Sequence, residues 1–284
     1  MSLRTLKKLA AAILPEAVKG PLRDRLFGFG RTRVSFGLWV EEEAGGVAVA
    51  HAGGLVLRLP SGSLEDAEFH FRGNAASVEE MYGFLRQARG EGGLLFDVGA
   101  HRGLFAHVFC LARAGNRAVG FEPSPPLRAA GEEMARLNRL EGRLRYRPAA
   151  VSAAPGSLAA WTAPGGFIQL GGDPPAGTQG FEVEVTTLDA ECARMGEDPD
   201  VVKVDVEGHE LEVLRGAREL LARRKPVLFL ELHPDLLERG GSGPAEVAGF
   251  LRGFGYRFES SLGAPLRPGA VARTPMVVLR VVAR

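Results

Sequence analysis

The stretch Leu94–Glu122, LLFDVGAHRGLFAHVFCLARAGNRAVGFE, decides the fold of this chain. An apolar run stops at an aspartate, a turn with two glycines leads into apolar residues at helical spacing, and a second apolar run stops at Glu122. A strand, a glycine turn, a helix and a strand with a terminal acid make half of a nucleotide-binding βαβαβ sheet. Gly99 and Gly103 let the backbone approach a ligand closely, and Glu122 can accept hydrogen bonds from both hydroxyls of a ribose.

The turn favours a ligand that carries positive charge. Dinucleotide-binding turns read G-x-G-x-x-G and hold a pyrophosphate at the helix N-terminus. Here Asp97 opens the turn, and the glycines are spaced G-x-x-x-G. A carboxylate at this point repels a pyrophosphate and suits the amino group and the sulfonium of S-adenosylmethionine. The alternative is a dehydrogenase-like sheet that binds NAD through a degenerate fingerprint.

Composition excludes several classes of function. The 284 residues carry a net charge of +1 and are 45% hydrophobic, so there is no basic excess to indicate a nucleic-acid partner. The two cysteines, Cys110 and Cys192, make no disulfide framework. No apolar run is long enough to predict a transmembrane helix. We therefore expect a cytoplasmic protein.

Residues Met1–Val18 carry apolar residues at helical spacing beside Arg4, Lys7 and Lys8. This pattern fits a basic amphipathic helix on a membrane surface or a helix that packs on the domain, and we favour the second. The apolar stretch before Pro15 is short and no small-residue cleavage site follows, which argues against a signal peptide.

Two regions are predicted along the chain. Residues 1–76 contain the N-terminal helix and, over 34–59, three short β-prone runs separated by glycine pairs, which indicate a small antiparallel unit. Residues 77–284 alternate helices and strands, with a β-hairpin insertion rich in glycine and proline at 155–187. The alternation predicts an α/β, Rossmann-like, mostly parallel sheet with helices on both faces and an antiparallel last strand. Beyond Leu94–Glu122, helices are predicted at Ser77–Arg89, Leu127–Leu140, Glu210–Ala222 and Ala245–Gly253, and strands at Arg143–Pro148, Asp200–Val206, Pro226–Leu232, Tyr256–Ser260 and Met276–Val282.

A second unusual stretch is Val201–Leu214, VVKVDVEGHELEVL. Its valines alternate with Lys203, Asp205 and Glu207, whereas a strand in a parallel sheet normally reads as a continuous apolar run. Charges at alternate positions need partners or a ligand. If this strand lies beside the first one, Asp205 reaches the crevice that Asp97 lines. Lys203 can simply neutralise a buried carboxylate, and helix capping accounts for Glu207 as well as chemistry does.

Three motifs in the chain resemble the FkbM family of S-adenosylmethionine-dependent methyltransferases. They are Asp97–Gly103 (DVGAHRG), Glu122–Pro125 (EPSP) with Asn138 downstream, and Lys203–Glu210 (KVDVEGHE) followed by LRGA at 214–217. The resemblance covers residues 77–260 and implies the seven-stranded class I methyltransferase fold.

The resemblance also implies which residues bind the methyl donor, S-adenosylmethionine. The implied donor pocket consists of Asp97, Gly99, Ala100, His101, Gly103, Pro123, Ala149, Ala150 and Asp205, with Glu122 on the ribose. The chain departs from the family at His101, which replaces the usual asparagine, and at Pro126, which replaces a longer side chain. Since no acid ends the third strand, the backbone of Ala149–Ala150 or the region of Asn138 would have to contact the adenine.

The implied reaction is an in-line displacement, in which an acceptor oxygen attacks the methyl carbon of the donor and the protein mainly positions the reactants. A hydroxyl acceptor benefits from a base. The candidate bases are Asp205, Glu207, His209 and His233, and we predict that Asp205 and His233 form the catalytic pair. We interpret His70 and His107 as surface or packing residues.

The acceptor is expected to be a sugar, a glycan or a secondary metabolite, held between the N-terminal unit and the 155–187 insertion. Asp205, Glu231 and His233 offer oxygen and nitrogen ligands for a divalent cation, but their spacing is no dedicated metal motif, so no metal is predicted. Two other interpretations stay open at this stage. They are a non-catalytic donor-binding or scaffolding module of a biosynthetic assembly, and an NAD-linked oxidoreductase.

Overall fold

The computed structural model describes residues 37–43, 47–60, 62–73, 75–162, 168–170, 180–266 and 277–283. The helix expected over Met1–Val18 and much of the loop expected in the 155–187 insertion lie outside these residues. Within the described ranges, no helix combines the length and the apolar character that crossing a membrane requires.

The first described elements are a small sheet and a helix. They are strands β1 (Trp39–Glu43), β2 (Val47–Ala52) and β3 (Leu55–Leu59) and helix α1 (Leu64–Arg72). The three strands pair antiparallel in chain order, as the glycine pairs between them predicted. Helix α1 was not predicted.

The rest of the chain alternates helices and strands. The helices are α2 (Ala75–Gly90), α3 (Leu104–Ala112), α4 (Pro125–Leu137), α5 (Leu188–Met195), α6 (Glu210–Arg215), α7 (Arg218–Arg223), α8 (Pro234–Arg239) and α9 (Pro244–Gly253). The strands are β4 (Leu94–Val98), β5 (Arg117–Phe121), β6 (Leu144–Arg147), β7 (Ala150–Val151), β8 (Gly156–Thr162), β9 (Ile168–Leu170), β10 (Gly180–Thr186), β11 (Val201–Val204), β12 (Val227–Leu232), β13 (Tyr256–Ser260) and β14 (Val277–Ala283).

Seven of these strands form the central sheet, in the order β13–β14–β12–β11–β4–β5–β6. Strands β6, β5, β4, β11 and β12 pair in parallel, whereas β14 lies antiparallel between β12 and β13. The mostly parallel sheet and the antiparallel last strand are therefore confirmed. The strand order changes direction between β4 and β11, and in open α/β sheets ligands bind at such a switch point, beyond the carboxyl ends of the strands.

Helices cover both faces of the central sheet. On one face, Phe96 of β4 belongs to an apolar cluster with Leu211 of α6 and Leu251 of α9. On the other face, the ring of Phe84 in α2 contacts that of Phe229 in β12, with centroids 5.2 Å apart. Because both faces are covered, the strands read as near-continuous apolar runs. Against this background three ionisable side chains stand out as buried within the central strands: Lys203 of β11, which is only 1% exposed, Asp97 of β4 and Glu231 of β12.

The 155–187 insertion extends β7 into a second sheet, ordered β7–β10–β8–β9. Strand β8 pairs antiparallel with both β10 and β9, while the insertion at 155–187 as a unit of the chain stays a prediction. Arg147 of β6 forms ion pairs with Glu184 of β10 and, at 3.1 Å, with Glu191 of α5. These charges connect the insertion to the edge of the central sheet.

Some predicted boundaries were wrong. Helices α5 and α8 were missed, and the single helix expected over Glu210–Ala222 is two helices, α6 and α7. The break falls at Gly216, where a side chain would overlap the carbonyl oxygen of Ser152. Strand β11 ends at Val204, so Asp205 follows the strand and does not lie within it.

The side chain of Asn138 connects β3 to the end of α4. Its Oδ1 accepts a hydrogen bond from the Arg58 backbone N–H at 2.9 Å, and its Nδ2 donates to the Arg58 carbonyl oxygen at 2.7 Å. The amide thus pairs with a strand edge, which gives no support to a role beside the adenine. The division of the chain at residue 76 stays a prediction.

Candidate active site

A cavity of about 510 Å³ lies at the carboxyl ends of β4, β5, β11 and β12. Parallel pairing aligns these ends, with Lys203 of β11 opposite Asp97 of β4 and Phe229 of β12. Of the residues that the sequence assigned to the donor, all except Gly103 line this cavity, and Asp205 and His233 of the predicted catalytic pair line it too. The two unusual stretches of sequence therefore meet in one space.

The turn after β4 is shaped by glycine and by backbone hydrogen bonds. The N–H groups of Gly99 and Ala100 both donate to one carbonyl oxygen at the end of β5, at 3.1 Å each. Gly99 has φ +74°, and a side chain there would overlap the backbone oxygen of Asp205. Gly103, with φ +75°, precedes α3 and packs beneath the Tyr146 hydroxyl. Gly103 thus shapes the turn from behind the cavity wall.

Glu122 follows β5 and is 6% exposed. Its two carboxyl oxygens accept hydrogen bonds from the backbone N–H groups of His101, at 2.9 Å, and Ser124, at 2.8 Å. Burial raises the pKa of Glu122, although these bonds oppose the shift. A carboxylate has about four acceptor positions, so two remain for the hydroxyls of a ribose.

Asp97 lies in β4 and is 2% exposed. Its Oδ2 accepts a hydrogen bond of 3.1 Å from the backbone N–H of Ala106, in the first turn of α3. Burial raises the pKa of Asp97 to about 7. A cationic ligand in the cavity would favour the ionised carboxylate, which fits a positively charged group better than a pyrophosphate.

The ammonium of Lys203 lies among three carboxyl groups. Its Nζ is 3.2 Å from Oε1 of Glu80 in α2, 3.4 Å from Oδ2 of Asp205 and 3.4 Å from Oε2 of Glu231 in β12. The centre of the Phe105 ring is 4.5 Å from the same nitrogen. Burial alone would lower the pKa of Lys203, but the carboxylates raise it well above its ordinary value. Lys203 is therefore a permanent buried cation beneath the cavity.

His233 precedes α8 and lies between two carboxyl groups. Its Nδ1 is 2.9 Å from Oε1 of Glu210, and its Nε2 is 3.9 Å from Oδ1 of Asp205. The hydrogen bond with Glu210 raises the pKa of His233 to about 9, so the imidazole is protonated at neutral pH. Burial would raise the pKa of Asp205, but Lys203 and His233 hold it below its ordinary value. In this arrangement Asp205 accepts hydrogen bonds and His233 donates them.

Asp205, Glu231 and His233 also bring donor atoms within 4.8 Å of one another, as a metal site requires. The Lys203 ammonium contacts two of the three and competes electrostatically with a divalent cation for them. The absence of a metal stays a prediction.

Sequence reasoning missed the cavity wall that α1 provides, with Asp66, Phe69 and His70. Asp66 Oδ2 accepts a hydrogen bond of 3.0 Å from Arg102 and lies 3.5 Å from Nδ1 of His101, which links α1 to the glycine turn. The available signal was Ser63 followed three residues later by Asp66, a pattern typical of a helix start. The expectation that His70 is a surface or packing residue overlooked its place beside the cavity.

The mostly parallel seven-stranded sheet with a single antiparallel strand, and the carboxylate-lined crevice at its switch point, make this an α/β protein with a methyltransferase-like fold. Residues 97–258 match the family described as the methyltransferase FkbM domain. The chain therefore belongs to the FkbM family of S-adenosylmethionine-dependent methyltransferases, which confirms the resemblance, the enzyme class and the cofactor.

Similar proteins include the hexuronic acid methyltransferase AglP of Haloferax volcanii, 28% identical over 225 residues, which are 75% of this chain and 84% of the relative. Among solved structures, the methyltransferase FkbM from Methylobacillus flagellatus aligns with a TM-score of 0.45 and 15% identity, over 67% of this chain and 43% of that one. The C-terminal domain of precorrin-6Y C5,15-methyltransferase from Rhodobacter capsulatus aligns with a TM-score of 0.42 and 17% identity, over 78% of this chain and 96% of that one.

Proposed function

We propose that this methyltransferase transfers a methyl group to a hydroxyl oxygen of a sugar or glycan. The observation that carries the proposal is the single cavity that joins the Gly99 turn to the Asp205 cluster, because one continuous space can hold a donor beside an acceptor. The relative AglP, a hexuronic acid methyltransferase, supports a sugar over the other acceptor class we expected, a secondary metabolite.

In this proposal the donor lies along the Gly99 turn. Glu122 accepts hydrogen bonds from the ribose hydroxyls, and Asp97 faces the positively charged end of the donor. The buried methyl groups of Ala149 and Ala150 form the wall beside the adenine. Ala100, His101, Gly103 and Pro123 complete the donor half, with His101 held through its backbone N–H on Glu122.

The charges around the cavity favour a neutral acceptor oxygen. Six carboxyl groups line the cavity, against one lysine and the protonated His233. The acids are Asp66, Asp97, Glu122, Asp205, Glu207 and Glu231, and the lysine is Lys203. A carboxylate acceptor would be repelled by this excess of acids, whereas a hydroxyl can hydrogen-bond to them. On a uronic acid we therefore expect methylation of a ring hydroxyl, giving an ether.

We call the part of the cavity around Lys203, Asp205, Glu231 and His233 the acceptor half, and its residues orient the acceptor. S-adenosylmethionine, when bound, supplies a methyl group on a positively charged sulfur. Asp205, kept ionised by Lys203, accepts a hydrogen bond from a hydroxyl of the sugar next to the reacting one, and protonated His233 donates one to a neighbouring oxygen. Holding the reacting atoms about 3 Å apart supplies much of the acceleration in such a displacement. Under the proposal, helix α1 of the N-terminal unit lines the acceptor site, and the 155–187 insertion supplies a further, outer acceptor wall.

The proposal is tested by calorimetric titration with S-adenosylhomocysteine, followed by a transfer assay on methyl glucuronide, methyl galacturonide and methyl glucoside. We expect saturable binding and a methylated product that survives mild base, as an ether does and an ester does not. Asp205→Asn should keep the affinity for S-adenosylhomocysteine and lower turnover about 100-fold. Saturable binding with no methylation of any of the three sugars would contradict a sugar acceptor.

A further inference from the structure

Neither residue of the predicted catalytic pair, Asp205 and His233, is well placed to take the proton of the acceptor hydroxyl. His233 is already protonated at neutral pH and donates to Glu210. Both carboxyl oxygens of Asp205 already face cations, Oδ2 at 3.4 Å from Nζ of Lys203 and Oδ1 at 3.9 Å from Nε2 of His233. Both side chains are better suited to orienting a substrate than to removing a proton. We therefore searched the rest of the cavity wall for a neutral acceptor of a proton.

Four imidazoles line the cavity, and three of them have polar side-chain partners. His101 lies 3.5 Å from Asp66, the Nε2 of His209 is 2.9 Å from Oγ of Ser152, and His233 is bound to Glu210. The fourth is His70 of α1. Its Nδ1 is buried and has no hydrogen-bond partner among the residues that the structure describes.

Packing fixes the orientation of the His70 ring. The ring meets Phe105 edge to face, with centroids 5.0 Å apart and planes at 81°. It meets Phe69 in the same way, at 5.1 Å and 90°. Phe105 also lies against the Lys203 ammonium, so the ring beside His70 belongs to the floor of the acceptor half. A rigidly held imidazole next to a binding cavity is pre-organised for a substrate contact.

The surroundings of His70 keep it neutral. Burial, and then the charge of Lys203 in β11, lower its pKa to about 4, although Asp205 and Asp66 oppose the shift and His101 adds to it. The low pKa makes His70 a weak base, but the neutral imidazole keeps a nitrogen lone pair that can accept a hydrogen bond. A weak base is sufficient here, because the hydroxyl becomes strongly acidic as its oxygen forms the bond to the methyl carbon. His70 and His233 thus line one cavity in opposite charge states.

We propose that His70 accepts the hydrogen bond, and then the proton, of the acceptor hydroxyl. The inference rests on the proposed function. As the oxygen forms its bond to the methyl carbon, the sulfur–methyl bond breaks and its electrons remain on the donor sulfur as a neutral thioether. The hydroxyl proton passes to an imidazole nitrogen of His70 and then to solvent. Atoms and charge balance without a further reactant.

The first test needs no acceptor. Sinefungin carries an amine where S-adenosylmethionine carries the reactive methyl, whereas S-adenosylhomocysteine carries nothing there. In protein with ¹⁵N-labelled histidine, we expect sinefungin to shift the His70 ring resonances much more than S-adenosylhomocysteine does. The resonances of His51, which lies in β2 and does not line the cavity, should not move. Equal or absent shifts of His70 with both ligands bound would overturn the proposal.

The second test compares variants in the transfer assay. His70→Phe keeps an aromatic edge against Phe105 and removes the nitrogens, so turnover should fall about 100-fold while the affinity for S-adenosylhomocysteine stays within about twofold. His51→Phe is the matched control and should have no effect. Full turnover by His70→Phe would overturn the role of His70 and leave the sugar acceptor standing. If no sugar is methylated, the proposed function fails, and the resonance shifts still decide whether His70 lies where the methyl group is transferred.

Discussion

The donor half and the acceptor half of the cavity are built in different ways. Most of the donor half comes from one stretch, Leu94–Pro123, to which Ala149 and Ala150 add a wall, and much of its geometry is fixed by backbone hydrogen bonds. The N–H groups of Gly99 and Ala100 bind one carbonyl oxygen, and that of His101 binds Glu122. This half is a local structure, stabilised by neighbours in the chain.

The acceptor half is assembled from distant parts of the chain. Glu80 of α2, Lys203 of β11 and Glu231 of β12 meet as buried charges, and His70 of α1 packs near them. Its geometry is fixed by ion pairs between side chains that are mostly buried. Such pairs stabilise only as a complete set, because each charge removed leaves another one buried without compensation. The two halves should therefore respond differently to substitution.

The largest expected effect is that of Lys203→Met. Methionine is close to lysine in length, but without the ammonium Glu80, Asp205 and Glu231 lose their shared cation. Breaking a buried ion pair by removing one partner costs about 3–5 kcal/mol, so the free energy of unfolding should fall by that amount. Chemical denaturation of the two proteins, followed by fluorescence, measures the difference.

Two control variants show whether the loss of stability in Lys203→Met comes from the buried charge. Combining Lys203→Met with Glu80→Gln removes the cation together with its nearest carboxyl group, and we expect part of the lost stability to return. Arg117→Met breaks an ion pair with Glu197 on the surface, where exposed pairs contribute about 0–1 kcal/mol. Equal losses for Lys203→Met and Arg117→Met would contradict the view that the acceptor half depends on buried charge.

This difference also explains what the sequence could predict. The donor half was readable because its signals are local: an apolar run, the glycines of the turn and the acid that ends β5 all lie within Leu94–Glu122. The mostly parallel sheet followed from the alternation of helices and strands, a signal that lies between neighbouring elements. The charges of Lys203 and Asp205 in an apolar stretch showed that partners were needed.

The sequence could not show which partners they would be. Glu80 lies in a helix whose pattern fits an ordinary capped start, and nothing local distinguishes its carboxyl group from a solvent-exposed one. The neutral state of His70 and the protonated state of His233 arise from burial and from groups on other elements, such as Lys203 and Glu210. Such states require the tertiary structure, because charge and burial act through space.

The second largest effect is expected for Gly99→Ala, which changes the backbone turn of the donor half. Gly99→Ala places a methyl group on a residue with φ +74°, against the carbonyl oxygen of Asp205. We expect the free energy of unfolding to fall by roughly 1–3 kcal/mol. The affinity for S-adenosylhomocysteine should fall by more than tenfold, because the turn must move. Calorimetry and denaturation measure the two quantities on the same preparation.

Gly196 provides the matched control for Gly99. It has φ +67° at the end of α5, and a side chain there meets no atom within 4 Å. Gly196→Ala therefore introduces the strain of a left-handed alanine without a steric overlap. It should lower the free energy of unfolding by about 1–2 kcal/mol and leave ligand affinity unchanged. If both alanine variants keep full affinity, the close approach of the Gly99 turn to Asp205 does not shape the donor site.

The smallest expected effect concerns Asp97, the buried charge within the donor half. Its pKa is raised to about 7 by burial, so below that pH the carboxyl is mostly protonated. If the positively charged amino group of S-adenosylhomocysteine binds beside the ionised form, binding must release a proton at low pH. The affinity should then rise about tenfold per pH unit up to pH 7, equivalent to about 1.4 kcal/mol per unit, and level off above it.

Calorimetry at pH 6 in two buffers with different ionisation enthalpies detects that proton directly. Asp97→Asn can still accept the hydrogen bond from the Ala106 N–H, but it cannot ionise, so its weaker affinity should vary much less with pH. Because Glu122 also has a raised pKa and remains in this variant, a pH dependence that survives would assign the proton to Glu122. If the wild-type affinity does not change from below pH 6 to above pH 7, the ionisation of Asp97 does not contribute to binding of the donor. The donor half would then be held by backbone and ribose contacts alone, and its contrast with the acceptor half would become sharper.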